Sequence, residues 1–266
     1  MLKHIVTFYI FCLFALHALN VNADAKKYTI SFVPQHSPSH LLKIWGPLVK
    51  AIEKETGVKL KLKVDSSIPN FESKLKNQSY DFSYMNPYHY TVFHSVGYEA
   101  MAKEKNKKIK GIFVTLENSS LKSISDINGH VLSFPSPNAF AATLLTEAKL
   151  RNLGIKYKAN YVQSHDSVYA NVEMGRHIAG GGINRTFSVY QAANEKSKVK
   201  VLWESKGYTP HAFTYHKRVP QEVVAKIQNA LLNMKLETLR IAKIKNGFIS
   251  ATDSDWNDVR ELKISK

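Results

Sequence analysis

Two polar clusters, each where a helix should begin, carry residue types suited to gripping a small oxyanion. The apolar run Val131–Phe134 reads as a strand; Pro135, Ser136, Pro137 and Asn138 break it, and residues 139–150 are strong helix formers. Ser136 or Asn138 is positioned to cap such a helix, whose first-turn N–H groups then point outward at the positive end of the macrodipole. About 25 residues later Ser164-His-Asp-Ser-Val-Tyr169 repeats the arrangement, and Gly180-Gly-Gly-Ile-Asn-Arg-Thr186 follows with one arginine. Serine hydroxyls and amide N–H groups supply several short donors to a tetrahedral oxyanion without needing a countercharge for every oxygen. The planar fork of Arg185 suits bidentate contact with such an anion. Each feature also has a plainer reading: Arg185 as a salt bridge on the helix starting near Ile183, His165 as a histidine buried beside a helix start, and the glycines at 180–182 as close strand-to-helix packing.

The elements that must position these residues alternate between strand and helix. Residues 28–33 read as a strand ending in Pro34-Gln-His-Ser-Pro-Ser39; 40–56 form an amphipathic helix closed by Gly57, and 58–64 a second strand. In an open parallel sheet ligands sit beyond the carboxyl ends of the strands, where Gln35 and His36 fall. Residues 68–78 read as a short helix and 80–85 as a third strand running into Asn86-Pro87, with Tyr84 near its end and Tyr88 opening the next helix. Further strands are expected at 109–116, 157–163, 177–182, 199–203 and 209–215, and helices at 220–233 and 236–244, with Trp256 packing rather than binding. His89 and His94 lie five apart, with no acidic residue at a matching ligand distance, so neither a metal site nor a cofactor is expected.

Composition narrows the setting. Lys3 and His4 precede an apolar run over 5–16 and small residues at 21–23, the pattern of a signal peptide cleaved after residue 23. That run is shorter than the roughly 20 residues a bilayer span needs. Cys12 is the only cysteine, so the mature chain is expected to have no disulfide, thiol nucleophile or thiolate metal site. The formal charge of +16 favours anionic partners. Export to the periplasm argues against nucleic acid, and the lysines are dispersed. Their densest run, Lys103, Lys105, Lys107, Lys108 and Lys110, is expected on a solvated connection.

The succession Asn86-Pro-Tyr-His-Tyr90, Ser133-Phe-Pro-Ser-Pro-Asn-Ala-Phe140, Ser164-His-Asp-Ser-Val-Tyr169 and Gly180-Gly-Gly-Ile-Asn-Arg-Thr186 resembles the PhnD-like phosphate/phosphite/phosphonate-binding proteins of ABC importers. The resemblance covers most of the mature chain and keeps four motifs in order. It implies an α/β, two-lobed periplasmic-binding-protein fold (type II), each lobe a mixed, mostly parallel sheet flanked by helices, with two crossing strands as hinge. The expected lobes are 24–112 with 205–266, and 113–204. The implied function is capture of a small oxyanion for an ABC permease by a monomer; a periplasmic adaptor for a membrane sensor kinase uses the same clamp. Tyr84 matches the family's aromatic hydroxyl. The expected site is Ser136, Asn138 and the N–H groups of Ala139 and Phe140; His165, Ser167 and the N–H of Val168; Arg185; and Tyr84 closing from the first lobe, with Gln35, His36 and Tyr88 as further candidates.

Two features refine this expectation. Relatives that take up aminoalkylphosphonates place carboxylates near the turn to meet the amine, whereas no Asp or Glu stands between Glu173 and Glu195 here. A ligand without an amine is therefore expected. A Ser167–His165 hydrolase is the enzymatic alternative. Its two residues are two apart at a helix start, which points them away from each other, and no Gly-x-Ser-x-Gly elbow exists.

Overall fold

The computed structural model describes residues 26–264; the expected signal peptide, with Cys12, lies outside them. The first sheet is built from β1 (Tyr28–Phe32), β2 (Leu60–Lys63), β3 (Phe82–Met85), β4 (Tyr98–Glu104), β10 (Ala212–His216) and β11 (Phe248–Ser250), in the order β11-β4-β10-β3-β1-β2. The second contains β5 (Gly111–Leu116), β6 (Val131–Phe134), β7 (Lys158–Tyr161), β8 (Ala179–Ile183) and β9 (Val199–Glu204), in the order β7-β6-β8-β5-β9. The chain passes from the first sheet to the second between Glu104 and Gly111 and returns between Glu204 and Ala212, where Ile109 and Tyr208 form an antiparallel bridge.

Pairing is parallel where a helix carries the chain back to the same edge: β1 with β2 and β3, and β6 with β7 and β8. The strands nearest the two crossings pair antiparallel, β10 with β3 and β4, and β5 with β8 and β9; β11 also pairs antiparallel with β4. Parallel pairing is thus less dominant than expected, because the strand by which the chain enters each lobe, β5 in the second and β10 in the first, runs against both of its neighbours.

The helices follow local chemistry. α1 (Pro38–Thr56) carries Pro at its start, ends on Gly57 in the left-handed region, and buries Leu41, Ile44, Trp45, Leu48, Val49 and Ile52 on the first sheet. α2 (Ile68–Lys76) is capped by Ser67, α3 (Pro87–Phe93) by Asn86, and α5 (His165–Glu173) by Ser164, each through its side-chain oxygen. The helix expected over 139–150 starts as a π-helix, Phe140–Leu145, before continuing as α4 (Thr146–Asn152). Hydroxyls complete this irregular turn: Thr143 Oγ1 donates to Ser136 O at 2.7 Å and Thr146 Oγ1 to Ala142 O at 2.7 Å. α6 (Asn184–Ala193), α7 (Gln221–Leu232), α8 (Leu236–Arg240) and α9 (Asn257–Arg260) complete the layers. Trp256 is fully buried and its Nε1 donates to Pro210 O at 2.8 Å, a packing role as expected.

One apolar cluster joins the lobes. It includes Val33, Ile68, Met85 and Tyr90 on the first-sheet side with Ala139, Phe140, Ala141, Ala142, Leu145 and Ile183 on the second. Within the second lobe the glycines of β8 let the π-helix and α5 lie directly on the sheet. A Cβ on Gly181 would lie 1.9 Å from Ala142 O, and one on Gly182 would lie 2.5 Å from Tyr169 Oη. Only hydrogen fits there, so the glycines serve packing.

Candidate functional site

The start of the π-helix, the start of α5 and the ends of β1 and β3 meet at a cavity of about 10 Å³, enough for one water-sized sphere. Its lining includes Gln35, Asn86, Ala139, Phe140, Ala141, Ala142, His165 and His211, with no carboxylate and no cationic side chain of Lys or Arg. Thr143 N and Leu144 N both return to Ala139 O, at 2.7 and 3.3 Å. The amides of Phe140, Ala141 and Ala142 therefore precede the first intrahelical bond and belong to the class of donors that a helix start leaves for a ligand. The amide of Ala139 does not, because it donates to Ser136 O at 3.3 Å within the turn.

The expected site residues divide into three groups. At the first cluster, Ser136 Oγ is buried without a hydrogen-bond partner among the described residues. Asn138 spans the lobes instead of capping: its Nδ2 donates to Glu72 Oε2 at 3.0 Å, and its carbonyl accepts from Asn86 Nδ2 at 3.1 Å. At the second cluster, Ser167 belongs to the cap, since its N–H and Oγ both meet Ser164 Oγ, at 3.1 and 2.9 Å. The Val168 amide donates to Ser164 O at 3.3 Å, so neither it nor Ser167 lines the cavity.

His165 does line it. Its backbone N–H donates to Gln35 O of the first lobe at 3.2 Å, and its Nδ1 lies 3.2 Å from Thr186 Oγ1, itself 2.7 Å from Tyr169 Oη. Burial first, then the neighbouring His36, lower the His165 pKa to about 3 against the opposing pull of Asp166, so the ring is neutral. When the Thr186 hydroxyl donates to Nδ1, the ring proton is left on Nε2, the tautomer that can donate to an anion. His211, unassigned from sequence, is also held neutral by burial and by the Arg185 charge.

Tyr84 and Arg185 form the third group, and they converge on a residue that sequence reasoning missed. Glu104 accepts from Tyr84 Oη at 2.5 Å and from Arg185 Nη2. The pair joins the lobes and is buried, with side-chain exposures of 12% for Arg185 and 4% for Glu104. Burial alone would lower the Arg185 pKa; Glu104 overrides it and holds the group firmly protonated, while burial and Glu104 together raise Tyr84. The guanidinium expected to neutralise the anion is thus already matched by a carboxylate. Arg185 lines a second pocket of about 190 Å³ with Glu104, Lys107, Lys108 and Lys110, which shares Ile109, Ile183 and His211 with the cavity.

The run expected on a solvated connection is therefore split. Lys103 lies in β4 and pairs with Asp255 at 2.5 Å, Lys110 pairs with Glu204 at 2.6 Å, and Lys107 and Lys108 edge the pocket. Of the further candidates, Gln35 lines the cavity and its Nε2 lies 3.5 Å from His211 Nε2. His36 sits across the cleft mouth, with Nδ1 3.0 Å from Asp166 Oδ1. Tyr88 lines a surface groove with Arg260 and Lys263, away from the cavity. His89 and His94 do not converge: His89 meets Glu72 at 2.7 Å, and His94 faces Glu99 and Asp253.

Comparison with known proteins fits this geometry. Residues 30–256 match the family described as "ABC transporter, phosphonate, periplasmic substrate-binding protein". The chain is 24% identical over 187 residues to the probable ABC transporter phosphite binding protein PhnD1 of Prochlorococcus marinus (strain MIT 9301), spanning 60% of this chain and 62% of that relative's length. The solved structure of PhnD1 from that organism in complex with methylphosphonate superposes with a TM-score of 0.80 at 18% identity, over 90% of this chain and 97% of that one. A binding protein component of an ABC phosphonate transporter from Pseudomonas aeruginosa gives 0.82 at 12% identity, over 90% and 86%. These likenesses carry the two-lobed fold. The relatives are substrate-binding proteins, not enzymes, and the Ser167–His165 hydrolase reading falls with them: the two side chains here bond to Ser164 and Thr186, not to each other. No helix of the described residues is long and apolar enough to cross a membrane. The chain belongs to the family of periplasmic phosphonate-binding proteins of ABC transporters.

Proposed function

We propose that this protein captures a small phosphorus oxyanion without an amine (phosphate, phosphite or a small alkylphosphonate) between its lobes and delivers it, as a monomer, to an ABC permease. The observation that carries this reading is the cavity wall itself. It combines helix-start amides with Asn86 and two neutral histidines, and has no carboxylate to receive an ammonium group. Ser136, whose buried hydroxyl lacks a partner, adds a donor beside that wall.

As it stands the cavity holds one water-sized sphere, so an oxyanion enters only as the lobes part. Arg185 and the lysines of the adjoining pocket raise the local anion concentration on the way in. Ligand favours closure only through contacts made in the closed form, which draw on both lobes: Asn86 and His211 from the first, His165 and the π-helix start from the second. The lobes in this scheme are those expected from sequence, with boundaries near 112 and 204. The relatives' ligands, phosphite by name and methylphosphonate in the solved complex, support the same class.

The test is calorimetric titration of protein stripped of anion by unfolding and refolding. The panel is phosphate, phosphite, methylphosphonate, 2-aminoethylphosphonate and sulfate. Micromolar or tighter binding of one amine-free phosphorus oxyanion is expected. Tighter binding of 2-aminoethylphosphonate than of phosphate would refute the amine argument, and silence across the panel would refute the ligand class.

A further inference from the structure

We propose that His36, His40 and Asp166 form a transition-metal site that ties the two lobes together at the mouth of the cleft. His36 lies in the loop after β1 and His40 in the first turn of α1; Asp166 lies in the first turn of α5, on the other lobe. One ring nitrogen from each histidine and one carboxylate oxygen lie within 4.8 Å of one another. The His36–Asp166 contact, with Nδ1 3.0 and 3.1 Å from the two carboxylate oxygens, accounts for two of the three groups without any ion. It does not account for His40. That ring lies against His36, with centroids 4.6 Å apart, and makes no hydrogen bond among the described residues.

Two imidazoles and one carboxylate are the donor set of Zn²⁺ and its neighbours in the transition series, not of Mg²⁺ or Ca²⁺, which take oxygen ligands. Donors around a tetrahedral zinc ion stand roughly 3.3 Å apart, as its bond lengths require, so modest inward rotation of these side chains completes three positions. His36 and His40 also line a pocket of about 80 Å³, with room for a water as fourth ligand, whose wall carries Arg185 and Lys243 as opposing charges. Lys43 acts against a cation and the Asp166 carboxylate acts for it. Because the ligands come from both lobes, the ion favours the closed form, and metal and captured anion raise each other's affinity by the same factor.

The experiment uses chelator-treated protein in a buffer free of phosphorus oxyanions, so its outcome does not depend on which anion binds. Co²⁺ is titrated and followed by visible absorption, and Zn²⁺ by calorimetry. One saturable ion per chain is expected, at micromolar affinity or tighter, with the intense visible bands of four-coordinate cobalt. His40→Ala and Asp166→Asn should each weaken binding by at least about tenfold, while His130→Ala, at an exposed histidine, leaves it unchanged. His40→Gln, which keeps a polar side chain, provides the same test should alanine disturb the fold. Absence of saturable binding, or binding that survives both His40→Gln and Asp166→Asn, overturns the site.

Discussion

The cavity at the start of the π-helix and the pocket beside it differ in how they handle charge. The cavity sets a few uncharged polar groups in an apolar wall: amides, Gln35, Asn86 and two histidines kept neutral by burial. The pocket is charged: Arg185 is held by Glu104 and Lys110 by Glu204, while Lys107 and Lys108 add further positive charge at its edge. The difference separates two tasks. On the proposed function, dipoles in the first region select an anion by shape and donor direction, and charge in the second draws it in; what the second shows directly is an ion pair joining lobe to lobe. A protein with a formal charge of +16 thus lines this cavity with none of its lysines or arginines.

The largest test of this contrast is Glu104→Gln. It leaves Arg185 buried and unpaired, and urea unfolding should show a loss of about 3–5 kcal/mol. A loss under about 1 kcal/mol, typical of exposed pairs, would make the charged region ornamental to the fold. On the neutral side, Ser136→Ala should weaken phosphorus-oxyanion binding by roughly 1.5–3 kcal/mol in calorimetry, the range for a hydrogen bond to a charged group. An unchanged dissociation constant removes that serine from the site.

The buried histidines predict a pH dependence with a definite sign. The His165 pKa falls from 6.5 to about 3 on folding, so between those values the unfolded chain binds a proton that the native chain refuses. Its contribution is complete above pH 6.5 and is lost as pH falls towards 3, with a slope of up to about 1.4 kcal/mol per pH unit. Denaturant titrations between pH 4 and 6.5 should be less steep for His165→Gln than for the natural chain, and equal slopes would mean that the ring is not buried neutral. The smallest expected effect is Lys110→Met. Its ion pair with Glu204 is exposed, at 42% and 36%, so stability should change by no more than about 1 kcal/mol in the same assay.

Much of the frame was legible because it is local. The helix openings after Asn86 and Ser164 and the stop at Gly57 were readable, since each depends on backbone within a few residues. The π-turn was not legible. It depends on Ala141 O and Ala142 O reaching Gly111 and Gly181 across the sheet, and on hydroxyls four to seven residues away. β4 was missed for a related reason: Tyr-Glu-Ala-Met-Ala-Lys-Glu has no clean alternation and is rich in helix formers, and pairing with β10 and β11 overrides that preference. With β4 unread, Glu104 had no place, and Arg185 was assigned to the anion instead.

The sequence by itself determined the order of strands and helices apart from β4, β11 and α9, the two helix starts that face the cleft, the absence of acidic residues near β8 and the family. These follow from short-range propensity and from motifs whose spacing survives in one dimension. Tertiary structure alone decided which donors remain for a ligand. Ser167 and the amides of Ala139 and Val168 are occupied within their own turns, Arg185 is matched by Glu104, His36, His40 and Asp166 come together from two lobes, and His211 joins His165 at the cavity. The physical reason is that a polar group's availability depends on what has already satisfied it, and those partners are chosen by packing between segments far apart in the chain.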